Sequence, residues 1–401
     1  MAETTVGIIG DGQLGMMLCE AAPALGLRTV ILATDPLAPA ARRASSAIRG
    51  GMDDEEALAS LIAQSDVITY EREDVPAPAL ALLRAAEARG SVECYPRLDT
   101  IALLQDKALQ KVWLEDKGLP TLPFVLSDGS TEQQREAVDR LGYPLVQKAL
   151  RGGFDGRGVQ LLREPSDLHR AWPGNTLYER FAGKFEELAV LVARGKDGSR
   201  AHFGPVAMTF ESSHSVLDTV SAPATQTAAV LEAATEIAHR AVEALDGVGV
   251  FGIELFVVDG QQVLINEISP RVHNAGHYTL EACRTSQFEQ HLRAISGMPL
   301  GDTGLLQPAA MRNLLCTSAL QQSDRTAAAG QSTDSIGSRV YWYGKSPARL
   351  MRKLGHVTAL ADSPEEALSR TLASWESIQA AGGQNTEQVA AAAPLSSNPF
   401  S

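Results

Sequence analysis

A chain of 401 residues with 44% hydrophobic and 21% charged residues has the balance of a folded soluble protein and suggests two to four compact units. Its formal net charge of −13 argues against a broad nucleic-acid or anionic-membrane surface, while leaving room for a small basic pocket that holds phosphates. Cys19, Cys94, Cys283 and Cys316 form no C-x-x-C pair, no apolar run reaches the length of a membrane span, and the amino terminus lacks signal-peptide character, so a reducing, cytoplasmic setting is expected.

The first hundred residues alternate apolar runs with helical spacing. Val6–Ile9, Thr29–Leu32 and Val67–Tyr70 read as buried parallel strands, with helices at Leu14–Ala24 and Glu55–Gln64. That pattern predicts a doubly wound α/β unit with ligands at the carboxyl ends of its strands. A helix over Asp99–Lys117 then leads through Gly118-Leu119-Pro120 into an α+β region. Its strands are expected at Leu145–Lys148, Leu188–Ala193, Phe251–Val258 and Gln262–Glu267, with a helix over Thr225–Leu245. A third region has a strand at Ala309–Leu315 and a loop at Ser318–Gly337, and the chain after Ala380 reads as a frayed tail. The expected units are 1–98, 99–299 and 300–380, followed by a flexible 381–401.

Gly10-Asp11-Gly12-Gln13-Leu14-Gly15 follows the first strand and opens a helix, which satisfies G-x-G-x-x-G in its required context. Asp35 closes the second strand, roughly where an NAD ribose would find its acid. Glycines admit any phosphate to the backbone, and a helix N-terminus favours any anion. The loop alone therefore leaves three readings open: NAD, another phosphate ligand, and purely structural glycines.

More specific chemistry lies downstream. Lys148 ends a strand and precedes Ala149-Leu150-Arg151-Gly152-Gly153-Phe154-Asp155-Gly156-Arg157-Gly158. Four glycines and two arginines suit a hairpin that closes over a triphosphate, and they exceed what a surface hairpin needs. Glu179 and Glu187 flank the next strands, where a carboxylate can accept from ribose hydroxyls or an exocyclic amine; singly, each reads more simply as a solvated acid. Glu254 sits in an apolar strand that a turn at Asp259-Gly260 pairs with Val263–Glu267. Pairing about that turn brings Glu254 close to Asn266 and Glu267, and hard oxygen ligands so gathered select Mg²⁺ with ATP phosphates. Arg271, His273 and Asn274 follow in one short loop, suited to anionic oxygens and proton handling.

The order of these features resembles the ATP-grasp superfamily and, within it, the N5-carboxyaminoimidazole ribonucleotide synthetase family. The matching stretches are Gly10–Gly15, Arg151–Gly158, Ile265–His277, Ser286–Ile295, Tyr343-Gly344-Lys345 and Arg352–His356. The resemblance implies a pre-ATP-grasp unit, an ATP-grasp fold and a small carboxyl-terminal β-rich unit. It also implies a homodimer and the reaction of ATP, bicarbonate and 5-aminoimidazole ribonucleotide to the N5-carboxy product, ADP and phosphate. By position, Lys107, Lys148, Gly153, Asp155, Gly156 and Asn266 would serve the nucleotide, Glu179 the adenine edge and Glu187 the ribose. Glu254 and Glu267 would hold Mg²⁺. Arg271, His273, Asn274 and Lys148 would serve catalysis, and His214, Lys345, Arg352 and Lys353 would bind substrate with the Gly12, Gln13, Leu14 and Gly15 amides. This chain departs from the family pattern at Phe154 (tyrosine), Val159 (glutamine), Met16 (arginine) and Ser212 (asparagine), mostly on the acceptor side. Three alternatives follow: an ATP-grasp ligase for another amine, an NAD oxidoreductase, and an ATP-binding protein without turnover.

Overall fold

The computed structural model describes residues 3–153, 158–211, 216–317, 329–334 and 336–391. Val6, Ile8 and Ile9 of β1 (Thr5–Ile9) are fully enclosed, as a strand covered on both faces requires. The amino-terminal unit continues through α1 (Gln13–Ala21), β2 (Arg28–Ala33), β3 (Ser46–Arg49), α2 (Glu55–Ala63), β4 (Val67–Tyr70), α3 (Ala77–Ala88) and β5 (Glu93–Cys94). Its parallel sheet runs β3-β2-β1-β4-β5, so the order reverses between β1 and β4 and opens a crevice at their carboxyl ends. The helix expected over Leu14–Ala24 stops at Ala21. A 3-10 turn, Ala22–Leu25, takes over with Pro23 inside it, and Gly26 closes the turn at φ 66°.

The helix expected over Asp99–Lys117 is two, α4 (Leu98–Leu104) and α5 (Lys107–Asp116). The break has a local cause. The Asp106 carboxylate accepts from the amides of Ala108 and Leu109, which caps α5 and sets Lys107 at its first position. Next come β6 (Phe124–Ser127), α6 (Thr131–Leu141), β7 (Leu145–Ala149), β8 (Val159–Leu162) and β9 (Thr176–Arg180), whose antiparallel sheet runs β6-β9-β7-β8. The glycine-rich segment connects β7 to β8; Phe154, Asp155, Gly156 and Arg157 lie outside the described residues, as do Ser212 and His214.

The largest sheet begins with β10 (Phe185–Arg194), β11 (Arg200–Phe210) and β12 (Leu217–Ala222). After α7 (Ala228–Ala244, capped by Thr227) come β13 (Gly249–Val258) and β14 (Gln262–Ser269). Beyond α8 (Thr279–Ala282) and α9 (Gln287–Ile295), the chain adds β15 (Ala309–Leu315), β16 (Ala329–Thr333), β17 (Arg339–Tyr343) and β18 (Lys353–Leu360) to the same sheet. The order is β14-β13-β10-β11-β12-β15-β18-β17-β16, so the carboxyl-terminal strands continue the central sheet through the β12–β15 pair. β16 falls inside the loop expected at Ser318–Gly337. Its small and polar residues have little strand preference of their own, and the register against Arg339–Tyr343 supplies it. The last helix, α10 (Pro364–Ala391), runs past the expected tail onset at Ala380. No described helix is long and apolar enough to cross a membrane.

One hydrophobic cluster joins Leu14 and Met17 of α1 to Leu191, Phe288 and Tyr343, so the amino-terminal unit shares its core with the large sheet. A buried histidine pins the same junction. The His291 Nδ1 accepts from the Val250 amide at 3.0 Å, and its Nε2 lies 2.8 Å from Thr69 Oγ1. Burial lowers this imidazole to about 3, so it is neutral, its proton is on Nε2, and it donates to Thr69.

Candidate active site

The turn expected at Asp259-Gly260 has positive φ at both residues, 50° and 70°, and the Gln261 amide donates to the Val258 carbonyl at 3.1 Å, so Asp259–Gln261 form the loop. From it the register runs outward as Val258↔Gln262 to Leu255↔Ile265, then shifts to Glu254↔Glu267. Asn266 is therefore the extra residue of a β-bulge, and the bulge sets the two carboxylates directly opposite on one face. Glu254 also faces Ala189 on β10, and Glu187, two residues along, shares that face.

Opposed carboxylates repel unless cations lie between or beside them. Lys107 Nζ lies 2.5 Å from Glu267 Oε2, and His273 Nε2 lies 3.1 Å from Glu254 Oε1. Burial alone would raise the Glu254 carboxyl; the His273 hydrogen bond and the charges of His273, Lys107 and Lys353 outweigh it and hold the group below the usual carboxylate value. Burial would likewise lower the Lys107 ammonium, but Glu267 and then Glu254 and Glu179 raise it. For Glu187, burial and then Glu254 push the carboxyl up to about 8 against the pull of Lys148.

Glu179 departs from its expected place. It lies within β9, 1% exposed, with one oxygen 2.5 Å from Lys111 Nζ and the other paired to Lys148. Burial raises this carboxyl, yet the two ammonium groups bring it down to about 2. A carboxylate so engaged orients lysines. Lys148 also donates to Asn266 Oδ1 at 3.1 Å, which ties the β7 lysine to the bulge. The base of the glycine hairpin is held too: Arg151 pairs with Asp106 at 2.9 Å, and the Lys107 amide donates to Leu150 at 2.9 Å.

Arg271 forms two bonds to Glu73, at 2.5 and 3.1 Å, and its Nη1 donates to the Val272 carbonyl. Asn274, expected to serve catalysis, is held within the loop. The residue is 8% exposed, and both side-chain polar atoms are exchanged with Asn313, at 2.7 and 3.2 Å. That pairing makes Asn274 an anchor for the loop that carries Arg271 and His273.

The first glycine loop holds an acid of the chain itself. Glu71, just past β4, accepts from the Gly12 amide through one oxygen and from the Gly15 amide through the other, both at 2.6 Å. A Cβ on Gly10, Gly12 or Gly15 would meet Glu71 atoms at 2.2, 2.6 and 3.0 Å, so these glycines are explained by that carboxylate. The dinucleotide reading of the loop loses its basis, because two of the amides meant for a pyrophosphate are already engaged. Gln13 and Leu14 remain at the start of α1, where the helix itself provides no acceptors for their amides.

Across the crevice, Lys345 lies 5.3 Å from the Tyr343 ring and is among the charges that draw the Glu71 carboxyl down against its burial. Arg42 holds the neighbouring Gly344 carbonyl at 2.6 Å. Burial and Arg349 lower the Arg352 guanidinium while Asp11 of the glycine loop raises it, and Lys353, 9% exposed, acts on Glu254. The fold therefore gathers Gly12–Gly15, Lys345, Arg352 and Lys353 on the side facing the Glu254–Glu267 pair.

Sequence reasoning missed Glu71, Glu73 and Lys111. Glu71 and Glu73 close the run Thr69-Tyr70-Glu71-Arg72-Glu73 at the carboxyl end of a parallel strand, a position that carries ligand chemistry in open α/β sheets. Lys111 stands four residues after Lys107, hence on the same helix face.

Three family models cover the chain: a ribonucleotide synthetase preATP-grasp domain over residues 3–105, an ATP-grasp domain over 112–288, and a phosphoribosylaminoimidazole carboxylase C-terminal domain over 309–370. The chain is 42% identical to the N5-carboxyaminoimidazole ribonucleotide synthase of Synechococcus elongatus over 88% of each chain. The crystal structure of the Thermotoga maritima synthetase matches with a TM-score of 0.80 at 38% identity, covering 93% of this chain and 98% of that one. The Aspergillus clavatus synthase, solved with ADP and 5-aminoimidazole ribonucleotide, matches with a TM-score of 0.81 at 30% identity, covering 92% and 96%. On the parallel pre-ATP-grasp sheet, the acidic hairpin and these likenesses together, the chain belongs to the N5-carboxyaminoimidazole ribonucleotide synthase family of ATP-grasp ligases.

Proposed function

We propose that this ligase carboxylates 5-aminoimidazole ribonucleotide with bicarbonate through carboxyphosphate, using ATP and releasing the N5-carboxy product, ADP and phosphate. The observation that carries the reading is the directly opposed Glu254–Glu267 pair, flanked by Lys107 and Lys148 and facing the glycine loop across the crevice. Glu254 and Glu267 fit Mg²⁺: these two hard carboxylates opposed on one face, beside Lys107 and His273, would hold the ion together with phosphate oxygens. A bound Mg²⁺ supplies charge neutralisation for the transferring phosphoryl group.

The chain's own groups do the remaining work. Lys107 and Lys148 hold the phosphates, with Asn266 and the glycine hairpin beside them, and Glu187 meets the ribose. Arg271, fixed by Glu73, steadies the carboxyphosphate anion, and His273 holds or moves a proton next to Glu254. The Gln13 and Leu14 amides, with Lys345, Arg352 and Lys353, take the ribonucleotide phosphate. Closure over the site excludes water from a short-lived intermediate. The family resemblance also supports a homodimer in the cytoplasm, and sedimentation of the purified chain tests the first of these.

Phosphate release measured with ATP, bicarbonate and a panel of amines tests the reaction. Stimulation by 5-aminoimidazole ribonucleotide is expected; stimulation by another amine alone would replace the acceptor.

Glu187 gives a second test. Its folded value of about 8 exceeds the ordinary 4.5, so it gains a proton on folding and stability falls as pH rises across that interval. Glu187→Gln is expected to raise the melting temperature of the free protein by about one to three degrees, most clearly above pH 8, and to weaken Mg-ADP about tenfold. Melting and nucleotide affinity both unchanged would remove Glu187 from the nucleotide site.

A further inference from the structure

Lys111 is 3% exposed at its side chain, and a buried ammonium needs partners that justify its burial. Its Nζ donates to Thr121 Oγ1 at 2.6 Å and lies 2.5 Å from Glu179 Oε1. The Thr121 hydroxyl in turn donates to the Ile265 carbonyl at 2.8 Å. On the other side Glu179 holds Lys148, and Lys148 donates to Asn266 at 3.1 Å. Ile265 and Asn266 are consecutive, so the contacts close a ring: Ile265, Thr121, Lys111, Glu179, Lys148, Asn266. The ring encloses the bulge that turns Glu267 toward Glu254.

The charges within the ring do not cancel. Glu179 alone beside Lys148 would make a neutral pair and withdraw the lysine's charge from a bound polyphosphate. With Lys111 on the second oxygen, the cluster carries one net positive charge. Burial lowers the Lys111 ammonium to about 8 while Glu179 supports it, so it stays mostly charged at neutral pH.

We propose that Lys111 is a positioning residue for the nucleotide: it neutralises Glu179, so that Glu179 can orient Lys148 without cancelling the charge that Lys148 presents to phosphate. The proposal rests on the nucleotide site described above, and it assigns Lys111 no contact with nucleotide.

Mg-ADP titration of the full chain, without acceptor, separates the two claims. Absence of binding to the wild-type chain would sink the nucleotide site itself, before any variant is compared. With binding established, Lys111→Met is expected to weaken Mg-ADP at least about tenfold, and a smaller loss overturns the proposal. Lys111→Met combined with Glu179→Gln removes both members of the pair and leaves the Lys148 charge uncancelled. That double variant is expected to bind Mg-ADP at least about fivefold more tightly than Lys111→Met, and binding no tighter than that single variant, or none at all, overturns the proposal. A lysine that only filled space would leave the double variant no better than the single one.

Discussion

Glu267→Gln is expected to lower phosphate release with ATP, bicarbonate and acceptor by about a thousandfold or more, because several kcal/mol of charge stabilisation would depend on the metal proposed for this carboxylate. The substitution keeps the side-chain volume at the bulge and removes one of two opposed charges. It also deprives Lys107 of its 2.5 Å partner, but Glu254 and Glu179 still act on that lysine, so the fold is expected to survive. Circular dichroism and melting should therefore stay near wild type while the Mg²⁺ concentration for half-maximal turnover rises. Wild-type turnover in this variant would rule out the metal role of Glu267.

Glu71→Gln should have the next largest effect, on the other side of the crevice. The carboxylate accepts from two amides at once; a carboxamide accepts with one atom and presents a donor to the second amide. Leaving a buried amide unsatisfied costs about 1–3 kcal/mol, so the loop at Gly12–Gly15 should loosen. The expected signature is a KM for the ribonucleotide raised about ten- to a hundredfold with the KM for ATP nearly unchanged. Acid should act in the same direction. Burial holds Glu71 above the ordinary carboxylate value, so protonation disables one acceptor at a pH where an exposed glutamate is still ionised. Equal loss for both substrates would point to general destabilisation and remove the loop from acceptor binding.

What could be read in advance depended on whether the determinants were local. The hairpin at Asp259-Gly260 carries its own turn signal and its own apolar runs, so Glu254 and Glu267 could be paired from sequence. The bulge at Asn266 could not, because it answers to Thr121 and Lys148 from two other elements. The helix break at Gln105-Asp106 was written in a capping aspartate that continuous helical spacing concealed. The glycine loop was legible as a turn built for an anion. That the anion is Glu71 depends on a contact 56 to 59 residues away. Asn274 sits in a motif rich in functional groups, and only the distant Asn313 shows that its amide serves the scaffold. The strand at Ala329–Thr333 had no signal of its own and borrows its register from Arg339–Tyr343.

The β12–β15 pairing has a consequence for how the chain can be divided. Strand Ala309–Leu315 covers the hydrogen-bonding rim of Leu217–Ala222 in the middle of the sheet. A shortened protein ending near Leu300 would keep every acidic and lysine residue of the nucleotide side, yet it would expose that rim as a raw strand edge, open to pairing with other copies. Such a fragment should precipitate or self-associate instead of behaving as a smaller ATP-binding protein. The carboxyl-terminal strands thus act as a solubility seal for the central sheet.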